Sequence, residues 1–143
     1  MIVAGPNSKW HRRRKIDPTE LIDEPWALPH YDTAFAGRIV KEAFRARGLN
    51  IPRQIVTSSG IQLNTSLAAT DHFLTARLAS NIRLSGKRLS VKALPVTLQM
   101  PPVHIGIVTL KDRTISPAAR LFMECARKIA KPFAKSRKSS GAD

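Results

Sequence analysis

The chain has 143 residues, 43% hydrophobic and 24% charged, and 24 Lys and Arg against 10 Asp and Glu give a formal net charge of +14 at pH 7. This length is enough for one hydrophobic core without covalent cross-links. A single cysteine excludes a disulfide framework, four scattered histidines offer no zinc spacing, and no apolar run approaches the ~20 residues of a membrane span. We therefore expect a cytoplasmic protein with no metal, no cofactor and no membrane contact.

The first part of the chain predicts short elements joined by polar connections. Met1–Ala4 has the apolar pattern of the end of a strand, and Lys9–Lys15 forms a basic connection after a turn. Asp17 and Pro18 suit the cap and the first position of a short helical turn. Trp26–Leu28 is a short apolar strand that a proline ends.

A long amphipathic helix follows. Asp32 is its predicted N-cap, and Gly48 stands where a helix end favours a residue in the left-handed conformation. Its apolar residues recur at helical spacing, and they are Phe35, Ile39, Val40, Ala43 and Phe44.

The middle of the chain alternates strands with helices. We predict strands over Arg53–Thr57, Phe73–Ala76 and Leu89–Val96, and helical segments over Ile61–Ala69 and Leu78–Leu84. Because strands and helices alternate over short connections, the sequence predicts an α/β fold with a largely parallel sheet.

The last part contains the most strand-like segment, His104–Leu110, and then a second long helix. Ser116 and Pro117 suit the N-cap and first position of this helix, and Pro132 is expected to end it. Residues 132–143 are predicted to form a disordered basic tail.

No catalytic pattern is visible in the sequence. Cys125, the one thiol, lies on the apolar stripe of the last helix and is best explained as a packed small hydrophobe. The histidines fall in separate segments, and neither a glycine-rich phosphate loop nor a suitable pair of acids is present. We therefore predict that the protein is not an enzyme.

One polar cluster lies where α/β proteins commonly bind ligands. The run Thr57-Ser58-Ser59-Gly60 separates the carboxyl end of a predicted strand from the start of a predicted helix. Its hydroxyls and free peptide N–H groups could bind an anion, or Ser58 or Ser59 could simply cap the helix. Spacing alone favours neither interpretation. Pro29-His30 ends another predicted strand in the same manner, and there a surface turn is the simpler explanation.

The positive charge supports an alternative hypothesis, a small basic nucleic-acid-binding protein. Of the 24 basic residues, 5 lie in Lys9–Lys15 and 6 in Arg127–Lys138, and these two blocks would contact phosphates. Aromatic residues, which would stack on bases, make up only 6% of the chain. Solvated surface is the simpler explanation of both blocks, but the alternative stays open.

Three stretches carry a family pattern, and they are LIDEPWALPHYDTAFAGRIVKEAFRARGL, RQIVTSSGIQL and VKALPVTLQMPPVHIGIVTLKDRTISPAARLFMECARKIA. The most specific piece is the basic link K-x-R-x-[IL]-S-P-A-A at Lys111–Ala119. In order and spacing, these stretches resemble the effector-binding domain of LysR-type transcriptional regulators. The resemblance runs from about Ile2 to Ala130.

The resemblance implies a partial type 2 periplasmic-binding-protein-like fold. In that family two α/β lobes are joined by two crossover strands, and a small molecule binds in the cleft between them. Residues 1–131 would be the later part of such a domain. Within it, 5–103 would form the second lobe, 1–4 and 104–110 the crossover strands, and 116–131 the helix that packs back on the first lobe. The chain is thus expected to be a truncated form.

The resemblance also implies a non-catalytic sensor of a small-molecule effector. We expect an anion such as a carboxylate, because the chain is basic and hydroxyls lie at a helix N-terminus. DNA would be bound only through the N-terminal winged helix-turn-helix of an intact relative. The apolar segments after residue 103 would lack part of their packing surface, so we expect homo-oligomers or self-association.

The effector site implied by the resemblance comprises Thr57, Ser58, Ser59, Pro29, His30 and, on a neighbouring strand, Thr75. The chain departs from the family at two places. Asp71-His72 stands where glycine is usual, and Arg77-Leu78 stands where Leu-Pro is common.

Overall fold

The computed structural model describes residues 1–85, 90–100 and 105–135. They belong to two compact units, Met1–Pro102 and Val103–Asp143. The described part of the first unit contains β-strands and helices, whereas that of the second unit contains one long helix.

The described strands of the first unit are β1 (Ile2–Ala4), β2 (Trp26–Leu28), β3 (Gln54–Thr57), β4 (Thr75–Ala76) and β5 (Lys92–Ala93). β1 lies between β4 and β5 and runs antiparallel to both, whereas β2 and β3 are parallel. Leu74 forms a parallel bridge to Trp26, which places β2 beside the start of β4. The prediction of a largely parallel sheet is therefore correct for β2, β3 and this bridge and wrong for β1.

Helices connect these strands. α1 spans Phe35–Arg45, α2 spans Ile61–Ala69 and α3 spans Ala79–Ser85. Gly48, which follows α1, has a φ of 69°, so the predicted left-handed residue is confirmed.

The predicted N-cap of α1 is wrong. Ala34 occupies the N-cap position, and its side chain makes no capping hydrogen bond. Asp32 instead forms an ion pair with Lys41, one of the basic residues of α1. The hydrogen bond and the charge of Lys41 lower the pKa of the Asp32 carboxyl.

Two one-turn 3-10 helices, Lys9–Arg12 and Pro18–Leu21, lie between β1 and β2. Asp17 caps the second in a reciprocal capping box, as predicted. The first was predicted only as a basic connection, but it buries the ring of Trp10, and the indole Nε1 donates to Glu24 Oε2 at 3.2 Å. The basic segment is therefore anchored to the core.

The core of the first unit is centred on Trp26 and Phe44, whose rings meet edge-to-face with their centroids 6.0 Å apart. Trp26 satisfies its buried indole N–H by donating to the carbonyl of Leu21 at 2.7 Å. Aliphatic residues that are fully buried with them include Ile2, Ile16, Leu28 and Val40. Because Phe44 belongs to α1, this contact holds the helix against β2.

Two strands are shorter than predicted. The strand expected over Phe73–Ala76 consists of β4 and the Leu74 bridge, and the one expected over Leu89–Val96 is reduced to β5. Residue 89 lies outside the described residues. Both short strands pair with β1, which has only three residues and so limits the length of either ladder.

In the second unit, α4 spans Pro117–Lys135. The Ser116 hydroxyl accepts a hydrogen bond from the N–H of Ala119 at 3.2 Å, so the predicted cap is confirmed. The prediction that Pro132 ends this helix is wrong, because Pro132 lies inside it. A proline removes one backbone hydrogen bond, and flanking turns can continue the helix on both sides.

Two further predictions for the second unit need correction. Residues 105–110 form no strand, and among the described residues of this unit there is no second strand with which they could pair. His104 lies outside the described residues. The tail expected over residues 132–143 is helical over 132–135, and its remainder also lies outside the described residues. The assignment of crossover strands and closing helix stays a prediction.

Replacing Thr75 by valine tests the buried hydrogen bond that joins β4 to β2. The Thr75 hydroxyl donates to the carbonyl of Ala27 at 2.7 Å, and the residue is 1% exposed. Valine has the same shape without the donor, so we expect Thr75→Val to lower the free energy of unfolding by about 1–2 kcal/mol. Urea denaturation followed by tryptophan fluorescence measures this change.

Thr70→Val is the matched control. Thr70 makes the same kind of bond, to the carbonyl of Leu67 at 2.7 Å, but at the exposed end of α2. We expect less than half the loss seen for Thr75→Val. Equal losses in the two variants would contradict a specific contribution of the buried bond.

Candidate functional site

The parallel pairing of β2 and β3 brings two of the predicted segments together. Leu28 and Thr57, the last residues of the two strands, are paired opposite each other. The N–H of Ser58 donates to the carbonyl of Leu28 at 3.1 Å, which continues the pairing beyond the strand end. Pro29-His30 and Ser58-Ser59 therefore leave the sheet side by side, at what we call the carboxyl edge.

The turn between β3 and α2, residues 57–60, is held from within. The Ser58 hydroxyl accepts from the N–H of Gly60 at 3.0 Å, and the side-chain amide of Asn64 donates to the Ser58 carbonyl at 2.9 Å. Gly60 is the N-cap residue of α2, and no side chain caps this helix. The alternative that Ser58 or Ser59 caps α2 is therefore wrong, and the first N–H groups of α2 receive no side-chain oxygen.

Exposure differs among the predicted hydroxyl residues. Thr57 and Ser59 are exposed and Ser58 is partly exposed. Thr75, in contrast, is buried, and its hydroxyl proton is used by the carbonyl of Ala27. The structure thus brings Thr57, Ser58 and Ser59 to the surface of the carboxyl edge, whereas Thr75 lies beneath it. A role of Thr75 in ligand contact stays a prediction.

The turn that follows β2 is fixed by close backbone contacts. The side-chain amide of Gln54 donates to the carbonyls of Leu28 and Pro29, at 3.2 and 2.7 Å. Gly37 lies directly against this turn, since a Cβ at that position would be 2.4 Å from the His30 carbonyl oxygen and 2.5 Å from that of Pro29. The turn therefore has little freedom to shift.

His30 presents one ring nitrogen to the outside. Its Nδ1 accepts from the N–H of Asp32 at 3.2 Å, which leaves Nε2 as the ring nitrogen that can donate. The side chain is exposed, so this Nε2–H is available as a donor. The adjacent Tyr31 donates its hydroxyl to the carbonyl of Pro52 at 2.8 Å, and burial raises the pKa of this phenol, so it stays a neutral anchor.

Four residues that sequence reasoning missed belong to this edge: Gly37, Gln54, Asn64 and Arg77. Asn64 is 4% exposed, and its Oδ1 has no partner among the described residues. A polar residue on the inner side of α2 is the signal that could have identified Asn64. The close approach of Gly37 depends on packing between distant segments and leaves no signal in the sequence.

Arg77 lies at the same end of the strands as Pro29 and Ser58. The bridge between Leu74 and Trp26 is parallel, so Arg77, which follows β4, and Pro29, which follows β2, are both at the carboxyl ends of these strands. The pairing of Leu28 with Thr57 places Ser58 beside Pro29 on the other side. At the level of Trp26, β2 lies between Leu74 and Gln54, whose backbones are therefore two interstrand spacings, about 10 Å, apart.

The other departure from the family pattern, Asp71-His72, lies away from this edge. Both residues line a groove of about 430 Å³, together with Trp10 and Glu24, at the opposite end of the strands. Asp71 has a φ of 68°, a conformation in which glycine is favoured, and its carboxylate accepts from the N–H of Asn7 at 2.9 Å. These residues therefore do not obstruct the candidate site.

Within the described residues, no group of His, Cys, Asp and Glu side chains could hold a metal ion. None of the helices over the described residues is both long enough and apolar enough to cross a membrane.

Adding a methyl group at Gly37 tests how closely α1 supports the turn after β2. Because the new Cβ would meet two backbone oxygens that cannot rotate away, we expect Gly37→Ala to lower the free energy of unfolding by about 1–3 kcal/mol. Urea denaturation measures the loss.

Gly60→Ala is the control for this change. There the added Cβ would lie 3.2 Å from the Ser58 hydroxyl and 3.6 Å from Cβ of Leu63, and the hydroxyl can rotate aside. We expect a change of less than about 1 kcal/mol. If Gly37→Ala were as mild as Gly60→Ala, the turn would not be fixed by α1.

Comparison with known proteins gives two further findings. A family profile described as the LysR substrate binding domain matches residues 1–131. The HTH-type transcriptional regulator GbpR of Azospirillum brasilense is 25% identical over 114 residues, which cover 80% of this chain and 33% of that protein. The chain thus spans about a third of the length of this curated relative.

Among solved structures, the effector binding domain of QuiR in complex with shikimate is similar, with a TM-score of 0.60 and 19% sequence identity. The match covers 92% of this chain and 60% of that chain. This similarity confirms the predicted α/β, periplasmic-binding-protein-like fold. The family profile, which matches residues 1–131, shows that the chain belongs to the LysR substrate-binding domain family.

Proposed function

We propose that this chain is the effector-sensing part of a LysR-type transcriptional regulator and that it binds a small organic anion at the carboxyl edge. The observation that carries the proposal is the pairing of Leu28 with Thr57, because it sets the two exposed turns side by side. In open α/β sheets, ligands bind outside the carboxyl ends of the strands.

The polarity of the edge favours an anion. The hydroxyls of Thr57 and Ser59 are exposed, His30 offers its Nε2–H, and the N-terminus of α2 has no side-chain cap. These groups are hydrogen-bond donors, and the helix dipole adds partial positive charge at the same place. The net charge of +14 would further raise the local concentration of anions.

The comparisons support the class of ligand and of protein. One relative is described as a transcriptional regulator, and one structural neighbour was solved in complex with shikimate. By extension, we propose that this chain acts in the cytoplasm within a regulator whose DNA contacts lie in another domain, and that it has no catalytic activity. Effector binding would shift the balance between two conformations of the regulator and thereby its DNA affinity.

Self-association is part of the proposal. In the second unit, α4 leaves large apolar side chains in solvent, since Leu121, Phe122 and Ile129 are each more than 60% exposed. Such side chains favour association with another surface. We propose that the regulator is a homo-oligomer.

The nucleic-acid alternative has less support. Within Lys9–Lys15, Lys9 is bonded to Glu24 at 2.6 Å and Arg13 to Glu20 at 3.0 Å, so part of this block is neutralised by the protein itself. The second block, Arg127–Lys138, belongs to α4 up to Lys135, and 136–138 lie outside the described residues. Tight binding to random duplex DNA with a steep salt dependence would favour this alternative.

Binding to hydroxylated carboxylic acids tests the proposed function. We expect the chain to bind shikimate or 4-hydroxybenzoate more tightly than the corresponding uncharged methyl esters, measured by isothermal titration calorimetry. Ser59→Ala should weaken binding of the acid about 2- to 10-fold, because it removes one exposed donor.

Ser66→Ala is the matched control, since Ser66 is exposed on the same helix but lies beyond its first turn. It should leave the affinity unchanged. Preference for the esters, or equal effects of the two serine variants, would contradict an anion site at the carboxyl edge.

A further inference from the structure

We propose that Arg77 is the carboxylate-binding residue of the effector site and that the effector is a carboxylic acid with a hydroxyl group at its far end. This inference rests on the proposed function and adds to it the ligand class and the residue that selects it. Arg77-Leu78 stands where the resemblance implies Leu-Pro, so the selection would be particular to this chain.

The backbone holds Arg77 at the carboxyl edge. Arg77 directly follows β4, and its N–H donates to the carbonyl of Met1 at 2.9 Å. The parallel direction of β4, β2 and β3 puts it at the same end of the strands as Pro29 and Ser58. Because β2 lies between the other two strands, Arg77 and the turn of residues 57–60 follow strands on opposite sides of β2.

The guanidinium lacks a partner within the described residues. Its side chain is only partly exposed, and its Nε is buried without a hydrogen bond. Burial lowers the pKa of the Arg77 guanidinium, although the group stays charged at neutral pH. Burial of the Nε–H without a hydrogen bond is unfavourable, and a carboxylate would accept from it in a short, charge-assisted hydrogen bond.

The acidic residues that form ion pairs among the described residues are paired with basic residues other than Arg77. Asp32, which lies closest in sequence to the turn after β2, pairs with Lys41. Glu24 and Glu20 pair with Lys9 and Arg13 in the segment between β1 and β2. An external carboxylate therefore has no described ion pair to displace at Arg77.

The separation of β4 and β3 sets the size of the ligand. The two strands lie on opposite sides of β2 at Trp26, about 10 Å apart. The arginine side chain covers part of this distance, and the rest fits a compact acid rather than a long chain. Such an acid would place its carboxylate at Arg77 and a hydroxyl at Ser59 or His30.

The test compares acid and ester binding in variants of Arg77. Arg77→Met keeps much of the side-chain length and removes the charge. We expect it to weaken binding of shikimate or 4-hydroxybenzoate about 10- to 100-fold and to leave binding of the methyl ester within about 2-fold of the wild type. Arg77→Lys should give an intermediate loss, because lysine keeps the charge without the planar fork.

A ligand-free measurement separates binding from folding. Because the guanidinium has no partner among the residues that the structure describes, Arg77→Met should leave the urea midpoint of the free chain unchanged or raise it. Arg53→Met is the matched control: Arg53 is exposed and precedes β3 at the opposite end of the strands, so acid affinity should not change.

The outcomes are distinguishable. If Ser59→Ala weakens acid binding while Arg77→Met does not, the role of Arg77 is wrong and the proposed function stands. Equal losses for acid and ester in Arg77→Met, or a lower urea midpoint, would show a structural role instead and overturn the inference. If the wild-type chain binds neither acid, both the inference and the proposed function fail.

Discussion

The parallel pairing of β2 with β3 is the interaction on which the candidate site depends. Leu28 and Thr57 are opposite each other only after a register irregularity between Trp26 and Ala27, which inserts an extra residue into β3. Such bulges bend a strand and redirect the residues that follow it. Without this irregularity the turn after β3 would be displaced by one residue relative to the turn after β2, and the side chains of the following residues would point to the other face.

The donor-rich character of the carboxyl edge follows from what lies beneath it. Gln54 and Asn64 reach the edge from β3 and α2, and both donate their side-chain amides to carbonyl oxygens of the two turns. The Thr75 hydroxyl does the same for Ala27 within the sheet. These four carbonyl oxygens are therefore used internally, while the hydroxyls of Thr57 and Ser59 face solvent. An anion complements this surface better than a cation does.

Local patterns were enough to predict much of the fold. The strand Trp26–Leu28 and the helix Ile61–Ala69 have the predicted bounds, and the turn between β3 and α2 lies where its polar run indicated. The register between strands could not be predicted, because it depends on contacts such as that of Gln54 with Leu28, 26 residues away in sequence. The prediction that Pro132 ends α4 is wrong because the helical turns on both sides of it stabilise the helix by more than the loss of one hydrogen bond costs.

The two departures from the family pattern lie at opposite ends of β4 and differ in how the chain accommodates them. Asp71 takes a left-handed conformation, and its carboxylate compensates by accepting from Asn7 and by filling the space beside Gly5, where a Cβ would come within 2.2 Å of its Oδ1. Arg77 has no such compensation among the described residues, and its Nε is buried and unpaired. A buried donor without a partner weakens a fold unless another molecule supplies an acceptor. Asp71 is therefore explained by the folded chain alone, whereas the proposed carboxylate ligand would supply the acceptor that Arg77 Nε lacks among the described residues.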